Sequence, residues 1–151
     1  MPGRDWLGSR RAEVAADRIL DAAGALFAEH DVAGVGMNDI ARAAGCSRAT
    51  LYRYFENREV LHTAYVHREA YRLHEHMTGL IGEIEDPRER LLAGLTTSMR
   101  LVRESPALSG WFATADSPIG AEMAEQSEVI QALTAGFLLS LHPDDPAVVD
   151  R

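Results

Sequence analysis

The stretch "IARAAGCSRATLYRYF", residues 40–55, is the part of this chain with the least freedom in how it folds. Ile40, Ala44 and Leu51 are spaced to bury one edge of two short helices, and Ala41 is small enough to let those helices cross closely. Between them stands Gly45, which reaches positive φ at little steric cost, as a sharp turn requires. Cys46 is expected to point back inward as a small apolar residue. Ser47 then offers a side-chain oxygen to cap the next helix. The pattern predicts helices over 37–44 and 48–55, with Gly36 capping the first.

Two short helices joined by a glycine-bearing turn make a helix-turn-helix. Packing uses one side of the second helix and leaves Ser47, Arg48, Ala49, Thr50, Tyr52 and Arg53 to face outward. A helix N-terminus favours anions, and its first turns reach base edges in a DNA major groove. Arginine binds guanine through two parallel bonds, while threonine and tyrosine hydroxyls bond phosphates or bases. The formal net charge of −8 argues against such a partner, but its distribution reverses the argument. Residues 1–60 carry −1 and residues 61–151 carry −7, whereas residues 42–58 carry +3. A basic patch can meet phosphate while an acidic body stays clear of it.

The rest of the chain reads as further helices. Val14, Ile19, Ala22, Ala23, Leu26 and Phe27 predict an amphipathic helix over 12–30. Asn57 is placed to cap a long helix reaching to about residue 85. After "EDP", a stripe of Leu91, Leu92, Leu95, Met99 and Val102 predicts a helix over 88–104. "SPALSGWF" begins another, and "DSP" a last one over 119–141 with Met123, Ile130, Leu133 and Phe137 inward. No alternating strand pattern stands out, so the expected class is all-α. A single cysteine leaves no internal disulfide or Cys-x-x-Cys metal pair, and a reducing cytoplasm is the expected home. Apolar runs are far shorter than the ~20 residues that span a bilayer, so no membrane partner is expected.

The residues 19–61, "ILDAAGALFAEHDVAGVGMNDIARAAGCSRATLYRYFENREVL", resemble the DNA-binding domain of TetR/AcrR-family transcriptional regulators, and the likeness covers roughly residues 12–62. It joins a helix of the "Il.aA..lF" kind, the motif "IA..AG.S..tlY.yF" and an "F.nre.L" exit in that order. The resemblance implies a tail over 1–11, a helix-turn-helix domain over 12–56 and a helical ligand-binding domain over 57–151. It implies that Thr50, Tyr52 and Arg53 face the groove, with Ser47 and Arg48 at the helix start and Gly45 in the turn. Tyr54 and Arg58 stand at positions that contact phosphate in the family, and Arg10 and Arg11 would reach a neighbouring phosphate or minor groove. Three departures stand out. Val35 and Gly36 occupy the place of a hydroxyl pair, Cys46 that of a valine, and the sequence ends at "DDPAVVDR" without the family's two long dimerisation helices.

The function implied is a one-component regulator, a repressor, that binds a near-palindromic double-stranded operator as a homodimer and is released by a small apolar ligand. Met77, Leu95, Met99, Trp111, Phe112, Met123 and Phe137 are the candidate lining of the ligand pocket. The same stripe also reads as plain core, which leaves open a DNA-binding module without ligand response. A third reading uses the histidines of 62–76. His67 and His74 share a helix face with Tyr71, a possible start for a metal sensor or hydrolase, although His-Glu-x-x-His spacing is absent. Neither a Ser-His-acid set nor a phosphate-cradling loop stands out, so neither an enzyme nor a cofactor is expected.

Overall fold

A computed structural model of the chain describes residues 6–105, 108 and 127–141, with side chains from residue 10 onward. The described residues form α1 (Trp6–Glu29), a 3-10 turn (Val32–Gly34), α2 (Met37–Ala44), α3 (Arg48–Tyr54), α4 (Arg58–Ile81), α5 (Pro87–Glu104) and α6 (Glu128–Leu141), with no strand among them. The chain divides into two compact units, Met1–Tyr65 and Val66–Arg151. The division falls inside α4, so the first two turns of that helix belong to the N-terminal unit.

In the N-terminal unit, α1 buries Ile19, Ala23 and Phe27, each four residues apart. Ile40 and Ala41 of α2, Leu51 of α3 and Leu61 of α4 are buried in the core of the same unit. Val14 was expected on the same stripe but is 57% exposed. It lies five residues before Ile19, which places it about 140° round a helix of 3.6 residues per turn. The helix also begins at Trp6, so Arg10 and Arg11 are exposed residues of α1 rather than of a tail. Asn57 acts as expected, its Oδ1 accepting the Val60 N–H at 2.8 Å.

The C-terminal unit contains the rest of α4 with α5 and α6. Asp86 starts α5, its Oδ1 accepting the Glu89 N–H at 2.8 Å, and Pro87 fills the first turn where no amide is needed. Ser127 starts α6 by accepting the Ile130 N–H at 3.2 Å, and its hydroxyl also meets His67 Nε2 at 2.9 Å. The helix expected over 119–141 therefore has a start at Glu128, and residues 119–126 lie outside the described residues. The stripe expected on α5 is split: Leu91 and Val102 are half-buried, and Val102 lines the cavity described below. Leu92, Leu95 and Met99 are 54%, 54% and 65% exposed, while the buried position is Gly94. A Cβ on Gly94 would stand 2.5 Å from Phe137 Cζ, so α6 packs where α5 has no side chain. Close approach, rather than side-chain size, selects the buried face.

Behind the helix-turn-helix, the Phe27 ring meets Tyr65 edge-on at 5.1 Å and His62 edge-on at 5.3 Å. Burial, and then the nearby Arg58 guanidinium, lower the His62 pKa from 6.5 to about 4. The unfolded chain therefore takes up a proton below pH 6.5 that the folded chain refuses until about pH 4. Stability from this group is fully present above pH 6.5 and is lost as pH falls through that window. We expect a loss on the order of 1–2 kcal/mol, after allowing for solvent reach. Urea unfolding at pH 7 and pH 4.5 measures it, and the difference should shrink in His62→Leu.

Candidate nucleic-acid interface and apolar cavity

The turn between α2 and α3 is built by the backbone. Gly45 adopts φ 68° and ψ 32°, in the left-handed region. That conformation lets Cys46 N–H reach the Ala41 carbonyl at 3.0 Å and Gly45 N–H the Arg42 carbonyl at 3.2 Å, the paired bonds of a Schellman ending. Ser47 is extended, and its Oγ accepts the Thr50 N–H at 3.0 Å. Leu51 at 0% and Phe55 at 5% exposure hold α3 to the core from one side. Cys46 is half-buried. At the start of α2, Gly36 has no hydroxyl to offer, and Asp39 Oδ2 reaches back to accept its N–H at 3.2 Å.

The opposite side of α3 carries Arg48, Tyr52 and Arg53, all exposed, beside the exposed Ser47. Thr50 is half-buried and its hydroxyl shares a 2.9 Å hydrogen bond with that of Ser47. The Arg48 guanidinium lies 5.8 Å from the Tyr52 ring centroid, and that of Arg53 5.4 Å from the half-buried Tyr54 ring. These contacts pre-order two long side chains without using up their N–H donors. The face thus presents two arginine forks, two phenols and two hydroxyls, a donor-rich surface suited to phosphates and base edges.

Arg58 departs from expectation. Its Nη2 donates to the carbonyls of Val32 at 2.7 Å and Ala33 at 2.8 Å, and its Nε is buried without a partner. The side chain expected to contact phosphate is instead turned inward, clasping the 3-10 turn to the start of α4. The Val32 carbonyl also accepts the Val35 N–H at 3.3 Å, and the two carbonyl dipoles together attract the cation at close range. The exposed arginines of α2 and α3 are Arg42, Arg48 and Arg53, with Arg42 3.8 Å from Asp39.

Arg58→Ala should destabilise the fold by about 1.5–3 kcal/mol, the usual scale for a hydrogen bond to a charged group. Operator affinity should fall with it, yet the salt slope should change by much less than the ~0.9 expected for one lost phosphate contact. Arg58→Lys should not restore stability, because an ammonium lacks the fork. At Gly45 the surroundings are open, so a new Cβ meets nothing within 4 Å and only the backbone resists substitution. Gly45→Val should cost about 1–2 kcal/mol, with Gly45→Asn costing less. Urea midpoints and salt-dependent DNA binding measure these effects.

In the C-terminal unit, α4, α5 and α6, together with Leu108, line a half-open apolar cavity of about 340 Å³. Met77, Leu95 and Phe137, three of the candidate residues, line it, with Leu95 exposed at 54%. Met99 does not. It lies on the outer side of α5, beside Arg100 and Arg103 in a shallow surface depression. Trp111, Phe112 and Met123 lie outside the described residues. Three polar side chains reach the cavity: His74, Ser98 and Thr134. Sequence reasoning passed over Gly94, although a lone glycine inside a helical pattern is itself a signal of close packing. Among the described residues no three His, Cys, Asp or Glu side chains gather as a metal site. No described helix is long and apolar enough to cross a membrane.

Comparison with known proteins agrees with this architecture. The family model for bacterial regulatory proteins of the tetR family matches residues 19–65, from α1 through the first turns of α4. An uncharacterized HTH-type transcriptional regulator of Mycobacterium tuberculosis is 60% identical over all of this chain and 75% of its own length. The HTH-type transcriptional repressor KstR of Rhodococcus jostii is 29% identical over 99% of this chain and 72% of its own. The solved structure of the fatty acid degradation regulator FadR from Bacillus halodurans superposes with a TM-score of 0.61 at 22% identity, covering 82% of this chain and 69% of that one. Motif, fold and relatives converge, and the chain belongs to the TetR/AcrR family of helix-turn-helix transcriptional regulators.

Proposed function

We propose that this regulator is a repressor that binds a near-palindromic operator as a homodimer and leaves it when a small apolar ligand enters the cavity. The observation that carries the reading is the make-up of α4. Its first turns supply Leu61 and Tyr65 to the core behind the helix-turn-helix, and its later turns supply Ala70 and Met77 to the cavity wall. A ligand that prefers one setting of this helix shifts the population of that setting, to the extent of its differential affinity. By linkage, operator and ligand then weaken each other by the same factor. Relatives described as repressors, KstR and the probable acrEF/envCD operon repressor of Escherichia coli, support the sign of regulation. A two-fold dimer would set the recognition helices about 34–36 Å apart, one turn of DNA. The reading is of a binding protein rather than an enzyme, since the Ser127 hydroxyl that meets His67 is already used to cap α6.

In this reading Ser47, Arg48, Thr50, Tyr52, Arg53 and Tyr54 make the DNA contacts, with Arg53 reading a base. Arg53→Ala should then cost about 1–3 kcal/mol at one operator position and relax the preference there. Selection of the operator from random duplexes, followed by titration of operator and unrelated DNA, measures this. Equal losses on both DNAs would remove the base-reading role. Sedimentation of the protein with and without operator tests the dimer.

A further inference from the structure

Two thioethers of this chain stand in opposite surroundings. Met99, on the outer side of α5, is 65% exposed and meets solvent directly. Met77 of α4 is 4% exposed and lines the half-open cavity, so the described residues leave that cavity as the route to its sulfur.

The Met77 sulfur also has a partner. Ser98 donates its hydroxyl to Sδ at 3.0 Å, joining α5 to α4, and Ser98 lines the same cavity. Thioether sulfur is a weak acceptor with two lone pairs. One is engaged by Ser98, and the other remains for an oxidant. Such a sulfur is soft and polarizable, and peroxides convert it to the sulfoxide.

Hydrogen peroxide gains nothing from an apolar wall. An alkyl or aryl hydroperoxide carries its O–O bond on an apolar body, and burial of that body holds the bond beside the sulfur. A cavity of about 150 Å³ takes up benzene, so one of about 340 Å³ has room for a hydroperoxide with one phenyl ring.

We propose that Met77 is an oxidation site for apolar organic hydroperoxides that enter the cavity, and that its sulfoxide loosens the operator complex. The sulfur attacks the terminal peroxide oxygen, so that an S–O bond forms as the O–O bond breaks. The peroxide proton passes to the departing alkoxide oxygen, which leaves as an alcohol. Sulfur is oxidised and the peroxide is reduced by the same electron pair. Because Ser98 holds one lone pair, oxygen adds at the other, and a single sulfoxide epimer results. The new dipole stands in an apolar wall where α4 meets α5, at a cost that shifts the contact. Its effect on DNA rests on the ligand-responsive reading above, whereas the oxidation itself does not.

Peptide mass mapping tests the site after treatment with cumene hydroperoxide or hydrogen peroxide, with the guanidinium-unfolded chain as reference. Hydrogen peroxide should oxidise Met99 faster than Met77. Cumene hydroperoxide should raise the ratio of Met77 to Met99 oxidation about tenfold above that, once each is divided by its unfolded value. Reductases specific for each epimer should find one epimer at Met77 in the unaltered protein and a mixture in Ser98→Ala. The oxidised protein should bind its selected operator about tenfold more weakly, and Met77→Leu treated alike should keep its affinity.

A ratio that does not depend on the reagent would overturn access through the cavity. Mixed epimers in the unaltered protein would overturn the role of Ser98. Unchanged operator affinity after full oxidation of Met77 would overturn the sulfoxide as a signal while leaving the site. If unreactive cumyl alcohol loosens the operator complex but the hydroperoxide spares Met77, the ligand-responsive reading stands and the oxidation site fails.

Discussion

The left-handed backbone at Gly45 fixes the direction in which α3 leaves α2. Its two reversed amide bonds end one helix, and within two residues the Ser47 oxygen has begun the next. Because so little chain lies between the two caps, the angle of α3 is set by hydrogen bonds rather than by a flexible loop. Leu51 and Phe55 then lock that angle into the core. The outward direction of Arg48, Tyr52 and Arg53 is a consequence of these constraints, and a side chain on the helix surface has no say in it.

A second fixed point is the clasp of Arg58 on the carbonyls of Val32 and Ala33. It ties the segment that leads into α2 to the first turn of α4, so both ends of the helix-turn-helix are anchored. This spends a cation inside the unit and places it beside His62, which burial and that same cation keep neutral. The DNA-facing surface is correspondingly leaner in charge than the sequence count of +3 over residues 42–58 suggests. On a protein of net charge −8, the DNA-binding reading proposed above therefore leans more on the geometry of α3 than on bulk charge.

What could be read from the sequence was local. The caps at Ser47 and Asn57 each join a side chain to an amide three residues on, and the left-handed Gly45 acts on its immediate neighbours. Such bonds depend on short spacings that a sequence displays. The Arg58 clasp joins residues 26 and 25 positions apart, and nothing local announces it. The face of α5 was misread for a related reason. Leu92, Leu95 and Met99 form the stronger apolar stripe, but burial is decided by where α6 comes closest, and that is at Gly94. Met99 stands on the outer side of α5, while Phe137 is held against Gly94 at the cavity. The polar contribution of His74 was likewise hidden, since the histidines of α4 invite a metal reading before the third dimension is known.

The two hydroxyls described at the cavity are turned back on the protein: Thr134 donates to the Ile130 carbonyl and Ser98 to the Met77 sulfur. A water molecule inside would need two to four polar partners, and among the described residues the walls offer it little beyond one imidazole. A space of that kind is poorly hydrated before anything enters. An apolar guest then releases few ordered waters from the walls and gains dispersion contacts that were absent, so its entry near room temperature is driven by heat released rather than by entropy. The loss of its own hydration shell still lowers the heat capacity of the system. Warming therefore makes the binding enthalpy more favourable still, and the way a helix folds its hydroxyls against its own backbone becomes visible as a calorimetric signature.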